Sequence, residues 1–372
     1  MQIVVLGAGM VGRAMAIDLA KDHRVTCIDI NLNNLTLLPD GIETRVADLS
    51  DTSQYHSLLQ NCDMVVCAVP GFMGYKTLEA VIIQGKNVVD ISFFPEDALQ
   101  LHELAKQHSV TAIVDCGVAP GMSNWVLGYY NTIMKIDQFE CMVGGLPKLR
   151  IKPWEYKAPF SPIDVLEEYT RPARYVENGH IITKPALSDV ELIDFEYAGT
   201  LESFNTDGLR SLLFTMPDIL NMKEKTLRYP GHIKLIQSLI KAGFLNHEPM
   251  QVQGQQVSPM QFTSKILFEQ WKLGEAEPEF TIMKIIMKGM MHDKQVCVEY
   301  FLYDEYDEAT KTSSMSRTTG YTCTAAVNLL LKNFFNEKGI FPPELVAPTP
   351  GCFEFVMDYL AKRNVHYRKT VS

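Results

Sequence analysis

Glycines and carboxylates near the N-terminus offer the first chemistry. Gly7, Gly9 and Gly12 form G-x-G-x-x-G directly after the apolar run Gln2–Leu6, and a helical pattern opens at Met10. In that context Gly7 permits a tight turn, Gly9 lets backbone approach a pyrophosphate, and Gly12 lets helix and strand pack closely. The helix start, with Met10 and Val11, offers unpaired N–H groups and a positive dipole end to phosphates. Asp29 ends the next apolar run, where a carboxylate accepts from both ribose hydroxyls and repels a 2′-phosphate. Ile30 and Asn31 supply no cation, so NAD is expected and NADP is less favoured. Asp48 either reaches the adenine edge or caps a helix from Ser53. Ala68-Val69-Pro70 ends a further strand, small enough for the nicotinamide ribose to approach the backbone.

A second group lies far along the chain. Thr226-Leu227-Arg228-Tyr229-Pro230-Gly231-His232 precedes a helical pattern, and its Pro-Gly turn would present Arg228 and His232 from rigid backbone. A solvated Arg ahead of an ordinary helix fits the same spacing. The histidines show no H-x-x-x-H or H-E-x-x-H, and no metal site is expected. Met283, Met287, Met290 and Met291 read as sheet filling, Asp304–Glu308 as a solvated acidic loop, and Cys116 as a buried small residue.

These residues need elements to position them. Apolar runs at Gln2–Leu6, Val25–Ile28, Thr44–Val46, Met64–Ala68, Val88–Ile91 and Ala112–Val114 alternate with helical stretches, the signature of a doubly wound parallel sheet. From about Gly117 the alternation stops. Strands are expected at Phe139–Val143, His180–Thr183, Glu191–Phe195 and Thr200–Phe204. A hairpin should run from Phe280–Met291 to Gln295–Tyr303, with helices at Ile233–Ala242 and Pro259–Lys272. Tyr321–Phe335 and Cys352–Arg363 read as helices returning to the first domain. The fold class is therefore α/β: a Rossmann dinucleotide-binding domain (1–122 plus 321–372) with an inserted α+β substrate domain (123–320) on a mainly antiparallel sheet.

Composition agrees. The chain has 372 residues, 47% of them hydrophobic and 21% charged, and a net charge of −10. Such an acidic chain disfavours nucleic acid and anionic membranes as partners. Eight cysteines without C-x-x-C spacing, no membrane-length apolar run and a strand at the very start make a cytoplasmic protein with reduced thiols the expectation.

The segment Asp115-Cys116-Gly117-Val118-Ala119-Pro120-Gly121-Met122-Ser123-Asn124 resembles the D-x-G-x-x-P-G-[LM]-S-N signature of the saccharopine dehydrogenase family. Glu168–Arg174, Thr226–His232 and Met315–Tyr321 agree with it, in order along the chain. The resemblance is greatest to the lysine 6-dehydrogenase branch and its saccharopine reductase relatives. It implies a homodimer that oxidises a carbon bearing an amino nitrogen, with NAD(P) taking hydride. It also implies that Arg228 holds a substrate carboxylate. Asp90, Ser92 and Phe93, with the Val118 to Asn124 turn, would border nicotinamide and substrate. Saccharopine reductases tend to carry an acidic residue where this chain has Ala119, and commonly use NADP, against which Asp29 argues.

A lysine-like substrate needs at least one Arg and one or two carboxylates around it, and Arg228, Arg317, Asp115 and Asp207 can supply them. A free ε-ammonium has a pKa of about 10.4, so a base must take its proton before hydride leaves. Asp115 and His232 are the candidates. The expected function is an NAD-dependent amino-acid dehydrogenase of the lysine 6-dehydrogenase kind. The alternatives are a saccharopine reductase, a carboxynorspermidine dehydrogenase-type imine reductase and a non-catalytic dinucleotide sensor.

Overall fold

The computed structural model describes residues 1–159, 162–274 and 276–372. Its first sheet is parallel, in the order 339–341, 111–113, 87–90, 64–67, 2–6, 24–29, 43–46. The central strands are buried on both faces, so their side chains divide by parity between two cores. Ile3, Val5, Met64 and Val66 enter one, while Val4, Leu6, Val65 and Cys67 enter the other. A parallel sheet covered by helices on both faces has this pattern. The strand Gly339–Phe341, which pairs with Thr111–Ile113, was not foreseen. It has three residues, too short for a period of two to be read.

The second sheet is mixed and mainly antiparallel. Its path runs 191–195, 199–205, 221–228, 135–147, 279–291, 294–305, 368–371, with 173–177 and 180–184 branching from 221–228. The long hairpin turns on His292 and Asp293, both at positive φ (50° and 59°), as a two-residue turn between twisted strands requires. The strand Asn221–Arg228 pairs in parallel with Lys135–Pro147 and antiparallel with Gly199–Asn205. The expected elements omitted it, because the consecutive Lys223, Glu224 and Lys225, with Arg228, hide the apolar pattern. The last strand, Arg368–Val371, also departs from expectation. It adds to this second sheet, beside Lys294–Glu305, and not to the first domain.

The helix Ser314–Leu331 joins the two halves by packing along Met10–Leu19, where Gly320 lies against Met15 and Val11. One buried carboxylate fixes this join. Asp18 accepts from Thr324 Oγ1 at 2.7 Å, Tyr359 Oη at 2.8 Å and Arg363 Nε at 2.8 Å. Burial works to raise its pKa, but the Arg363 guanidinium and the two hydroxyls outweigh burial and hold it below the usual value. No described helix is long and apolar enough to cross a membrane.

Removing one partner of a buried ion pair strands the other, at a cost of roughly 3 kcal/mol or more. Asp18→Asn is therefore expected to lower the unfolding free energy by about 3 kcal/mol at pH 7, and the urea midpoint with it. The stabilisation should be complete above the unfolded carboxylate pKa and fade as pH falls through the lower folded value. The gap between wild type and variant should narrow in acid, which denaturation at stepwise lower pH will read.

Candidate functional site

A cavity of about 970 Å³ runs from the glycine turn of the first sheet to the strand Asn221–Arg228 of the second. At one end the three glycines act in three ways. Gly7 has φ +103°, and a Cβ there would lie 2.4 Å from Ala68 O. A Cβ on Gly12 would lie 2.1 Å from Gly7 O, so both positions are closed to side chains by the protein's own backbone. Gly9 differs. It has an ordinary φ of −62°, and a Cβ would meet nothing within 4 Å. Its side faces the cavity, and no side chain caps the helix Met10–Leu19 that it opens.

Asp29 Oδ2 accepts from Ala8 N and Oδ1 from Asn31 N, each at 2.7 Å, which fixes the carboxylate at the wall. Gly7, Gly9, Met10, Val11, Gly12, Asp29, Asp48, Ala68, Val69, Pro70, Ser92, Phe93 and Val118 all line the cavity. Open backbone at Gly9, an uncapped helix start and a carboxylate at the end of the second strand fit a dinucleotide. When bound, that group supplies a hydride acceptor. Asp48 does not cap the following helical turn. It accepts from Ser50 N and Oγ, while Asp51 caps at Ser53 N. Asp90, expected to border the nicotinamide, is fully buried, accepts from Ser92 N and does not line the cavity. Burial pushes its carboxyl up to about 7.

The other end of the cavity is rich in charge. Alternation along Asn221–Arg228 turns Glu224, Thr226 and Arg228 to the cavity, and turns Lys225 to the opposite face, where it reaches Glu191. Arg228 is held on every side. Nε donates to Tyr169 Oη at 2.8 Å, Nη1 to Leu227 O at 3.0 Å and Nη2 to Glu168 Oε2 at 3.0 Å. Its guanidinium also stacks 4.5 Å from the Tyr156 ring centre. Three of its five donors are thus engaged, and a substrate carboxylate at Nη2 would compete with Glu168. Arg171 pairs with Glu167 and stands over Phe93, and Asp207 receives Nε and Nη2 of Arg174, each at 2.9 Å.

Four expected site residues lie elsewhere. Asp115 pairs with Arg210 Nε at 2.8 Å and borders a separate small cleft, not this cavity. His232 is buried with both ring nitrogens engaged, Nε2 with Tyr169 Oη and Nδ1 with Trp154 O, each at 2.9 Å. Burial and the Arg228 charge push it down to about 3, so it stays neutral and orients Tyr169. Neither candidate base reaches the cavity. Asn124 binds Glu344 and Gly121 N at the start of its own helix. Arg317 holds Asp304 and the backbone carbonyls of Glu305, Arg363 and Asn364, a structural role where the last helix ends. The Cys116 thiol, pushed by burial up to about 12, is inert as expected.

The wall residues outside the candidate set include Glu168 and Glu224. Glu224 is 6% exposed, and its carboxylate has no hydrogen-bond or ion-pair partner among the described residues. The available signal was the alternation Glu224-x-Thr226-x-Arg228 itself. Once Arg228 faces a site, its i−4 neighbour on a strand must as well.

The family model "Saccharopine dehydrogenase NADP binding domain" matches residues 3–113, and "Saccharopine dehydrogenase C-terminal domain" matches residues 117–365. Alpha-aminoadipic semialdehyde synthase of Bos taurus is 24% identical over 66% of this chain, which spans only 29% of that relative. Carboxyaminopropylagmatine dehydrogenase of Synechocystis is 21% identical over 94% of both chains. Among solved structures, apo saccharopine dehydrogenase (L-Glu forming) from Saccharomyces cerevisiae is similar over 100% of this chain and 99% of its own. Its TM-score is 0.81 at 18% identity, a likeness of fold. Homospermidine synthase from Legionella pneumophila, in complex with NAD, has a TM-score of 0.69 at 12% identity, over 100% of this chain and 91% of its own. With both domain models matched in order along nearly its whole length, the chain belongs to the saccharopine dehydrogenase family.

Proposed function

We propose that the protein is an NAD-linked oxidoreductase acting at the CH–NH or CH–NH2 carbon of an amino acid with net positive charge. The observation that carries this reading is the charge of the cavity wall. At its acidic end the arginines Arg171 and Arg228 are each already matched by a glutamate, Glu167 and Glu168. Lys272, exposed at the rim, is suited to one carboxylate. Glu224 is left uncompensated, and a cation is what would compensate it. Lysine, with two ammonium groups and one carboxylate, suits that wall, so side-chain oxidation of lysine is the first reading. Saccharopine, with three carboxylates, does not suit it. The match along 94% of both chains to a relative named for carboxyaminopropylagmatine favours a second reading, a carboxylated amine that also carries a guanidinium. Both readings place a cation at the acidic end. A non-catalytic sensor is disfavoured, because an unpaired buried carboxylate costs stability and has no use there.

The fixed Asp29 carboxylate supports NAD over NADP by repelling a 2′-phosphate. NAD is expected to bind at least tenfold more tightly, which takes about 1.4 kcal/mol. Asp29→Asn, which keeps the shape and removes the charge, should narrow the ratio. Fluorescence titration with NADH and NADPH will show this, and equal affinities in the wild type would sink the claim.

Gly9→Val should abolish NADH binding yet leave the melting temperature almost unchanged, since the added side chain meets only the cavity. Gly12→Val should lower the melting temperature, because its Cβ meets Gly7 O. Comparable melting losses in both variants would make Gly9 structural instead. The substrate reading is tested by NAD reduction with L-lysine, saccharopine, carboxynorspermidine and carboxyaminopropylagmatine. Turnover of the cationic amines above saccharopine is expected, and a preference for saccharopine would overturn the charge argument.

A further inference from the structure

We propose that Glu224 is the catalytic residue that receives the reacting nitrogen of the substrate and accepts its proton. This rests on the amine-oxidising reading above and assigns it a base. The argument begins with packing. Glu224 stands on a central strand, between Gly199–Asn205 and Lys135–Pro147, so its backbone is fixed on both sides. The loop facing it is glycine at one position only, Gly208, where a Cβ would fall 1.7 Å from Glu224 Oε1. Backbone approaches the carboxyl there, and any side chain would displace it.

Every charged neighbour is committed elsewhere. Glu168 from the helix Pro162–Thr170 pairs with Arg228, Asp207 pairs with Arg174, and Asp115 pairs with Arg210. The Cys141 thiol stands beside it in register on Lys135–Pro147 and is itself pushed well up by burial. Burial, then Glu168, Asp207 and Asp115, push Glu224 up to about 8, against the smaller opposing pull of Arg210. An acid–base group works best with a pKa near the working pH. Glu224 is thus nine-tenths buried, open to the cavity and unpaired, on the strand face it shares with Arg228.

The step balances. An N–H bond of the substrate ammonium breaks and its proton passes to a Glu224 oxygen, leaving a lone pair on nitrogen. The C–H bond on the adjacent carbon then breaks with its electron pair, which leaves as hydride to the oxidised nicotinamide. The nitrogen lone pair forms the C=N bond of an iminium, and Glu224 returns the proton to water in the cavity. The substrate carbon is oxidised, and the nicotinamide is reduced.

Glu224→Gln keeps the shape and removes the base. The expected result with NAD and L-lysine or carboxyaminopropylagmatine is a drop of at least a hundredfold in kcat/KM, with an unchanged Kd for NADH. In the wild type, oxidative kcat/KM should rise with pH up to about 8 and then level. The Gln variant should lose that limb, and Glu224→Asp should retain it at reduced rate. A second readout needs no turnover. A carboxyl whose folded pKa is raised destabilises progressively as pH rises from the unfolded value to the folded one. Glu224→Gln should therefore melt above the wild type at pH 9 and together with it at pH 5. An active wild type whose Gln variant keeps the acidic limb and stays within threefold overturns the role of Glu224 alone. Coincident melting at both pH values overturns it too. A wild type inert toward all four amines removes the amine-oxidising reading and this proposal with it.

Discussion

The substrate end of the cavity depends on burying charged side chains along one strand. Asn221–Arg228 lies inside its sheet, hydrogen-bonded to neighbours on both sides, so its side chains must go to one face or the other. Met222 joins the main core, while Glu224, Thr226 and Arg228 on the same parity face the cavity. Charge inside protein is costly unless matched. Matching explains much of the surrounding architecture. Glu168 and Tyr169 are brought in by one helix to hold Arg228, His232 braces Tyr169, and Lys225 on the reverse face is closed off by Glu191.

The two ends of the cavity are made by different means. At the dinucleotide end the work is done by backbone: absent side chains at Gly7, Gly9 and Gly12, and an uncapped helix start. Such a site tolerates little variation in the turn but asks nothing of distant sequence. The acidic end is assembled from the helix Pro162–Thr170, the loop at 206–208 and the strand Asn221–Arg228, which meet only in the folded molecule. Its placement relative to the glycine turn rests on the packing of Ser314–Leu331 along Met10–Leu19.

That difference sets what could be read from sequence. The glycine turn, Asp29 and the alternating strands and helices were legible, because each is a local pattern with a local cause. The long hairpin was legible for the same reason, since Glu279–Met291 and Lys294–Glu305 are two long apolar-rich runs around a tight turn. The strand Asn221–Arg228 was not, because lining a polar cavity removes the apolar alternation by which a strand is recognised. With the strand unread, Glu224 had no face to belong to. Asp115 and His232 are of residue types that can serve as a base, but ion pairing and burial, which sequence does not display, take both out of the cavity. Arg317 and Asn124 follow the same pattern. Each sits in a charged or polar motif, and each satisfies helix ends and carbonyls in the protein's own interior.

An arginine or carboxylate in a family motif is therefore ambiguous until its partners are counted. Arg228 lies at the wall, but its Nε, Nη1 and Nη2 already donate to Tyr169, Leu227 and Glu168 in this arrangement. A substrate carboxylate near it would have to compete with Glu168 for the same guanidinium, and the exchange of one carboxylate for another gains little. A cation near Glu224 competes with nothing. On the proposed reading, the two ends of an amino-acid substrate meet unlike partners: the amine a buried carboxyl with no other partner, the carboxylate an arginine that already has one or the exposed Lys272. Selectivity should follow the amine, with the carboxylate serving to orient it.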